Sequence, residues 1–302
     1  LVDDQGNIYL QQTNPTQAEL GLDLGAERIA NHIKRFQSAA IRKGYTPQAI
    51  GLGAPGIINR ERGLVQFSPN LPEWRDVPLA QAIRQKTNIP VFLDNDANMV
   101  TYGEHWMGVG RDFNNFLCLT LGTGVGSGLV LNGKLWFGSQ GLGPEFGHIT
   151  VIPGGERCGC GNRGCLETLA SANSLVKKAQ KGMARGRSTL LTQLIGGRRE
   201  ALTAKLVYQG ALRNDPFCLS LLADLGKYLG LALANSIHLL GLEGVVLGGG
   251  LSRASTIFLP YLEKEFKKRM TMAFADRVSI RISSLGDKSG ILGAAKMAFE
   301  RF

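Results

Sequence analysis

Between Glu145 and Glu167 the chain sets Glu145-Phe146-Gly147-His148 ten residues ahead of Cys158-Gly159-Cys160-Gly161-Asn162-Arg163-Gly164-Cys165-Leu166-Glu167. This stretch constrains the fold more than any other, because three thiolates and an imidazole so close together form the ligand set of structural zinc. Three of the five cysteines fall within eight residues. Bending a backbone around one ion demands positive φ, which Gly159, Gly161 and Gly164 accommodate. An ion held by His148, Cys158, Cys160 and Cys165 has no open coordination position, so the expected Zn2+ is structural and not catalytic. A disulfide is the alternative, and the odd cysteine count and lack of a recognisable secretory segment argue against it.

A chain of 302 residues is long enough for two domains, and two domains imply a cleft. No uninterrupted apolar run reaches the ~18 residues of a membrane span. The best candidate, Leu229–Leu247, contains Asn235, Ser236, His238 and Glu243, so it reads as a buried helix feeding a buried strand and no membrane is expected. Free cysteines and a zinc site point to a reducing cytoplasm. The formal charge of +10 is uneven: Lys177–Arg213 holds nine Lys/Arg and one acidic residue, Glu200. A basic surface can meet polyanions, but without aromatic interleaving or a nucleic-acid motif a solvated helical face explains it, and no nucleic acid is expected.

Strand and helix signals alternate with glycine between them. Ala49–Gly53, Pro90–Leu93 and Asn115–Leu121 read as strands. Helical spacing of apolar residues covers Ile29–Lys43, Leu79–Lys86, Asn173–Lys181, Ala201–Arg213, Leu219–Leu240, Tyr261–Met272 and Ile291–Phe299. This is an α/β chain. An internal repeat adds to it: Leu1–Leu10 and Leu129–Phe137 share a pattern of strand, Asn/Asp/Gly turn and strand, so both predict hairpins. A strand and glycine-rich loop, Phe116–Gly128, precede the second copy. The repeat therefore predicts duplicated α/β halves facing a cleft, with a strand and loop expected ahead of Leu1. Asp23-Leu24-Gly25-Ala26 is not that loop, because helical sequence follows it; it reads as the approach to a helix.

Leu121-Gly122-Thr123-Gly124-Val125-Gly126-Ser127-Gly128 lies between two strands. Its glycines let backbone N–H groups approach phosphate oxygens, and the Thr123 hydroxyl adds a donor. A glycine-rich hairpin turn would look the same, and the loop lacks the Gly-Lys-Ser/Thr ending of a Walker motif. Gly248-Gly249-Gly250, after the apolar Gly244–Leu247, either admits a base or ribose close to the backbone or simply turns the chain. Asn95-Asp96-Ala97-Asn98 follows the strand Val91-Phe92-Leu93, so its polar groups emerge at a strand's carboxyl end. A carboxylate there can accept the proton of an attacking hydroxyl, though a helix N-cap uses the same residue type. Asp94 is the adjacent competitor and reads as structural. Asn70 and the Gly53-Ala54-Pro55-Gly56 turn are further rim candidates that turn chemistry also explains.

These motifs together resemble the ROK family of sugar kinases, repressors and open reading frames, most closely its bacterial glucokinases. The resemblance spans essentially the whole chain, and the Glu145-x-Gly147-His148 motif with the cysteine hook is its most specific part. It implies an actin-like, hexokinase-type duplicated α/β fold with a sugar in the interdomain cleft. The implied domains are 1–115 with 287–302, and 116–286, the latter carrying the zinc. By this resemblance Asp96 is the general base on the 6-hydroxyl of a hexose, and Asn70, Asn95, Glu145, His148 and Glu167 hydrogen-bond the other hydroxyls. His148 then places one ring nitrogen on zinc and the other toward sugar, each orienting the other. Gly122, Thr123, Gly124 and Gly126 face nucleotide phosphates and Gly249 and Gly250 the adenosine, with Mg2+ entering with ATP. A homodimer is implied as well. Family kinases open with a strand and an Asp-x-Gly-Gly-Thr loop, which Leu1 onward does not contain.

Two other readings share the family. A sugar-responsive transcriptional repressor would keep the sugar and zinc residues and needs no phosphate loop, so the Thr123 loop favours a kinase. A kinase using polyphosphate would give Lys177–Arg213 a purpose.

Overall fold

The computed structural model describes residues 1–15, 22–68, 73–139, 141–271 and 276–302. In chain order its strands are β1 (Ile50–Ala54), β2 (Ile57–Asn59), β3 (Leu64–Phe67), β4 (Arg75–Val77), β5 (Val91–Asn95), β6 (Phe116–Leu121), β7 (Val125–Leu131), β8 (Lys134–Trp136), β9 (Gly244–Gly248) and β10 (Ser279–Ile282). Its α-helices are α1 (Leu22–Arg42), α2 (Leu79–Thr87), α3 (Asp96–Met107), α4 (Glu167–Ala170), α5 (Ala172–Ala184), α6 (Leu191–Leu194), α7 (Ala204–Leu212), α8 (Pro216–Leu240), α9 (Ser255–Arg269) and α10 (Lys288–Arg301). The chain divides into two compact units: Leu1–Asp112 with Gly128–Pro144 and Asp287–Phe302, and Phe113–Ser127 with Glu145–Gly286. This division departs from the expected one in two segments: Phe113 and the two residues after it fall in the second unit, and Gly128–Pro144 belongs to the first, because the chain leaves the second partway along β7.

In the first unit β1 and β5 pair in parallel, Ile50 opposite Val91 and Ala54 opposite Asn95. The two-residue period of a strand sorts β1 onto two faces. Ile50, Leu52 and Ala54 join Ala30 of α1 and Leu79, Ala80 and Ile83 of α2 in one apolar cluster with Trp74. Gly51 and Gly53 face the other way, toward α10 and α3, where a Cβ on Gly51 would sit 1.8 Å from the Ala294 carbonyl oxygen. The same need for close approach recurs between α3 and α10: a Cβ on Gly293 would lie 1.7 Å from the Met99 carbonyl oxygen. Strands β2, β3 and β4 form a small antiparallel sheet.

Both predicted hairpins are present. Val2 bridges Ile8, and the Asp3 side chain accepts from the Gln5 and Asn7 N–H groups inside the turn. Strands β7 and β8 close over Asn132 and Gly133, both at positive φ (52° and 69°), the two-residue hairpin turn that asparagine and glycine favour.

In the second unit β9 pairs in parallel with β10 and with β6, and β7 starts beside β6. Every residue of β9 is buried, as is nearly all of β6, the near-continuous apolar reading of strands covered on both faces. Helix α8 is long and apolar enough by composition to cross a bilayer, but 61% of its most apolar window is buried here. It packs on α9, and its Leu222, Leu229 and Leu233 and the Phe258 and Leu262 of α9 are wholly buried.

Two helix boundaries differ from expectation. Asp23-Leu24-Gly25-Ala26 is the first turn of α1 itself and not an approach to it. Helix α9 begins at Ser255, six residues before the expected Tyr261, and carries Pro260 inside it; proline lacks an N–H and disfavours a helix interior, which hid the first turns. Met272, the expected end of that helix, lies outside the described residues.

Candidate functional site

The four candidate metal ligands come together within the second unit. One potential ligand atom from each of His148, Cys158, Cys160 and Cys165 lies within 4.8 Å of every other. Cys160 Sγ is 3.7 Å from Cys165 Sγ, and Cys158 Sγ is 3.5 Å from His148 Nδ1. A tetrahedral zinc with bonds of about 2.3 Å to sulfur and about 2.0–2.1 Å to nitrogen puts sulfur pairs about 3.8 Å apart and sulfur–nitrogen pairs about 3.6 Å apart. The donor set and these two edges therefore fit the ion. Its charge has work to do: burial pushes the Cys158 thiol up to about 12, and burial and the Cys160 side chain also raise Cys165. A cation is what allows such groups to act together as thiolates.

Local hydrogen bonds shape the hook. Cys158 N–H donates to the Asn162 carbonyl at 2.8 Å and Gly161 N–H to the Cys158 carbonyl at 3.0 Å. Gly164 sits at φ +74°, and a Cβ there would lie 1.7 Å from the Ile152 carbonyl oxygen, so only glycine fits. Its own carbonyl accepts from Val151 and Ile152, and Thr150 bridges Cys165. These links bring the Glu-x-Gly-His segment beside the cysteines. With Nδ1 turned to Cys158, His148 Nε2 faces Glu145, 3.9 Å from its Oε2, so metal binding through Nδ1 leaves the ring proton on the outward nitrogen. The Glu145 side chain is 60% exposed and that of His148 31%, so both are open to a polar ligand.

The two glycine loops lie next to each other. Thr120 of β6 pairs with Gly248 of parallel β9, so both loops leave their strands at the same carboxyl edge. Gly249, at φ +82°, packs so closely that a Cβ would be 2.5 Å from the Leu121 carbonyl oxygen. Thr123 is exposed at the loop tip, while Gly122 N–H bonds the Gly124 carbonyl and the Gly122 carbonyl accepts from Ala172 N–H at 2.8 Å. Sequence reasoning missed the link from this loop to the hook. Glu167 Oε2 accepts from Val125 N–H at 3.0 Å and Oε1 lies 3.8 Å from Cys158 Sγ. It also missed Ser127, whose Oγ accepts from Phe146 N–H at 3.0 Å. Neither pairing leaves a local signal, since each spans nineteen or more residues of sequence.

In the first unit Asn95-Asp96 lies at the end of β5 and the start of α3. The N-cap is Asn95 and not Asp96: its side-chain oxygen accepts from Ala97 N–H at 2.9 Å and Asn98 N–H at 3.3 Å. Asn95 Nδ2 also donates to the Gly56 carbonyl, tying in the Gly53–Gly56 turn. Asp96 is thereby free of the capping duty. Its carboxylate is accessible, yet enough protein surrounds it that desolvation raises its pKa above the ordinary range, against the pull of the Ala97 N–H. Asp94 is structural as expected: buried, paired with Arg60, and accepting from Asn95 N–H and Asn98 Nδ2. Asn70 lies outside the described residues.

Part of the basic stretch is engaged locally. Lys177 and Lys181 both pair with Glu156, and Lys178 donates to the Leu169 carbonyl at 2.9 Å.

Comparison with known proteins places these motifs in a family. The ROK family model matches residues 1–301. A glucokinase of Thermotoga maritima is 38% identical over 301 residues, covering 100% of this chain and 93% of that protein. A xylose repressor of Caldicellulosiruptor bescii is 32% identical, covering 96% of this chain and 80% of the repressor. Among solved structures, a ROK family glucokinase from Streptomyces griseus in complex with glucose and AMPPNP matches with a TM-score of 0.83 at 32% identity, over 99% of this chain and 94% of that one. The chain belongs to the ROK family, and its fold is the actin-like, hexokinase-type α/β fold of such kinases.

Proposed function

We propose that this ROK family chain is a sugar kinase that transfers the γ-phosphoryl group of Mg-ATP to the 6-hydroxyl of a hexose, glucose first among them. The observation that carries the reading is that one chain holds both a desolvated carboxylate at a strand end, relieved of helix capping by Asn95, and glycine loops side by side on a parallel sheet edge. The glucokinase relatives, one of them solved with glucose and AMPPNP, support it.

Asp96 is assigned the proton of the 6-hydroxyl. Desolvation raises its proton affinity, which favours that transfer. Glu145, His148 and Glu167 are assigned to the other hydroxyls, carboxylates accepting and the outward His148 Nε2 donating. Asn95 has one amide hydrogen left for such a contact, its oxygen and its other hydrogen being engaged. Asn70 keeps its assignment on the family resemblance alone. Backbone N–H groups and the hydroxyl around Gly122, Thr123, Gly124 and Gly126 are assigned to phosphate, and Gly249 and Gly250 to the adenosine, where a side chain would block close approach. Magnesium, arriving with the nucleotide, neutralises phosphate charge as phosphoryl transfer requires. Zinc on His148, Cys158, Cys160 and Cys165 supplies rigidity and takes no chemical step.

The test is ADP release from Mg-ATP with glucose, mannose and N-acetylglucosamine in turn, and with polyphosphate replacing ATP. Glucose-dependent ADP release supports the reading. The xylose repressor relative favours a second reading, a sugar-responsive regulator, and sugar binding without phosphoryl transfer from either donor would select it.

A further inference from the structure

We infer that Glu167 is a positioning residue that makes the order of the Gly122–Val125 loop depend on occupation of the metal site. The carboxylate stands between the two. Oε2 accepts from Val125 N–H at 3.0 Å, where the loop rejoins its strand, and Oε1 lies 3.8 Å from Cys158 Sγ. The fit on the loop side is tight: a Cβ on Gly124 would sit 2.2 Å from Glu167 Oε2 and 3.2 Å from its Cδ, with no other group so near.

The placement of Glu167 is inherited from the hook. It opens α4 two residues after Cys165, whose backbone is bridged to Thr150, and the intervening Leu166 N–H donates to the Ile149 carbonyl at 3.0 Å. Cys165 and His148 flank those two strand-like links, so an ion joining them clamps the segment from which Glu167 projects. The far side of the loop hangs from the same region, through Ala172 N–H to the Gly122 carbonyl at 2.8 Å. A loop held at both ends by α4–α5 has little freedom while that segment is fixed, and gains it when the hook opens. A structural metal thus reaches the loop through one side chain. The consequence for nucleotide affinity rests on the kinase reading; the coupling itself does not.

The experiment uses the full, zinc-loaded chain without sugar and reads hydrogen exchange of the Val125 amide and its loop, zinc content, and ADP binding by calorimetry. Glu167→Ala removes the acceptor, Glu167→Gln keeps one, and Cys160→Ser opens the hook. Gly124→Ala pushes the carboxylate away from the loop side, at a residue whose φ suits alanine. A hydrogen bond to a charged acceptor leads us to expect exchange faster by about tenfold or more in Glu167→Ala, Gly124→Ala and zinc-free Cys160→Ser. Glu167→Gln should stay near wild type, and Glu167→Ala and Gly124→Ala should keep their zinc. Exchange in α8 serves as the internal measure of global folding. Unchanged loop exchange in folded Glu167→Ala, or a protected loop in zinc-free Cys160→Ser, overturns the coupling. Exchange that follows expectation without any ADP binding to wild type upholds the coupling and refutes the kinase reading.

Discussion

Replacing Asp96 with asparagine separates chemistry from structure more cleanly than any other change. The helix cap is Asn95, so the substitution leaves the capping bonds to Ala97 and Asn98 in place, and an asparagine oxygen can still accept from Ala97 N–H as Asp96 Oδ1 does at 2.9 Å. What disappears is the proton acceptor. General-base help is worth about 10²- to 10⁴-fold, or roughly 2.7–5.4 kcal/mol of barrier at about 1.36 kcal/mol per decade. The loss should fall on kcat with glucose, leaving the KM for ATP nearly unchanged. Stability should move little, for two reasons of opposite sign. Loss of a negative charge in the first turn of α3 removes a helix-dipole interaction of about 0.3–1 kcal/mol. Against that, the folded-state pKa of Asp96 is raised, so its favourable contribution is present below the unfolded pKa and lost as pH rises through the folded one. The asparagine variant has no charge to desolvate at any pH. The assays are steady-state ADP release and thermal unfolding, with kcat/KM followed against pH. The acid limb of the wild-type profile should lie above the ordinary aspartate range and vanish in the residual activity of the variant. Turnover at the wild-type rate, or a loss of activity accompanied by a large fall in Tm, would refute the reasoning.

Cys160→Ser should purify with substoichiometric zinc and weaken glucose binding about 10- to 100-fold, the scale on which metal-site neighbours act; metal analysis and titration calorimetry check this. Gly164→Ala forces a side chain against the Ile152 carbonyl at φ +74° and should destabilise the protein by more than about 2 kcal/mol, read from denaturant unfolding. Arg60→Met strands the buried Asp94 carboxylate, whose side chain is 2% exposed, and should cost about 3–5 kcal/mol; Arg60→Met with Asp94→Asn should recover part of it.

Most of the elements were legible because their signals are local. The parallel strands β6 and β9 read as apolar runs, α8 as a helix feeding a strand, and Asn132-Gly133 as a hairpin turn, since each depends on neighbouring residues and steric preference. Failures came where a local rule was overridden: Pro260 inside α9 is tolerated because buried Phe258, Leu262 and Phe266 hold that helix against α8. The sequence offered Asp96 as a possible cap at α3, and only the folded geometry gave that place to Asn95.

What the sequence determined by itself is the set of clustered His and Cys side chains, the α/β class and the family, because soft ligands, glycines and apolar periods are properties of residues and their spacing. Tertiary structure decided which groups share a task. The register of β6 on β9 set two glycine loops side by side, the close packing at Gly124 brought Glu167 onto the Val125 amide, and Arg60 took up the charge of Asp94. Those are distances between residues far apart in the chain, fixed by packing at densities where a single Cβ would not fit, and no periodicity encodes them.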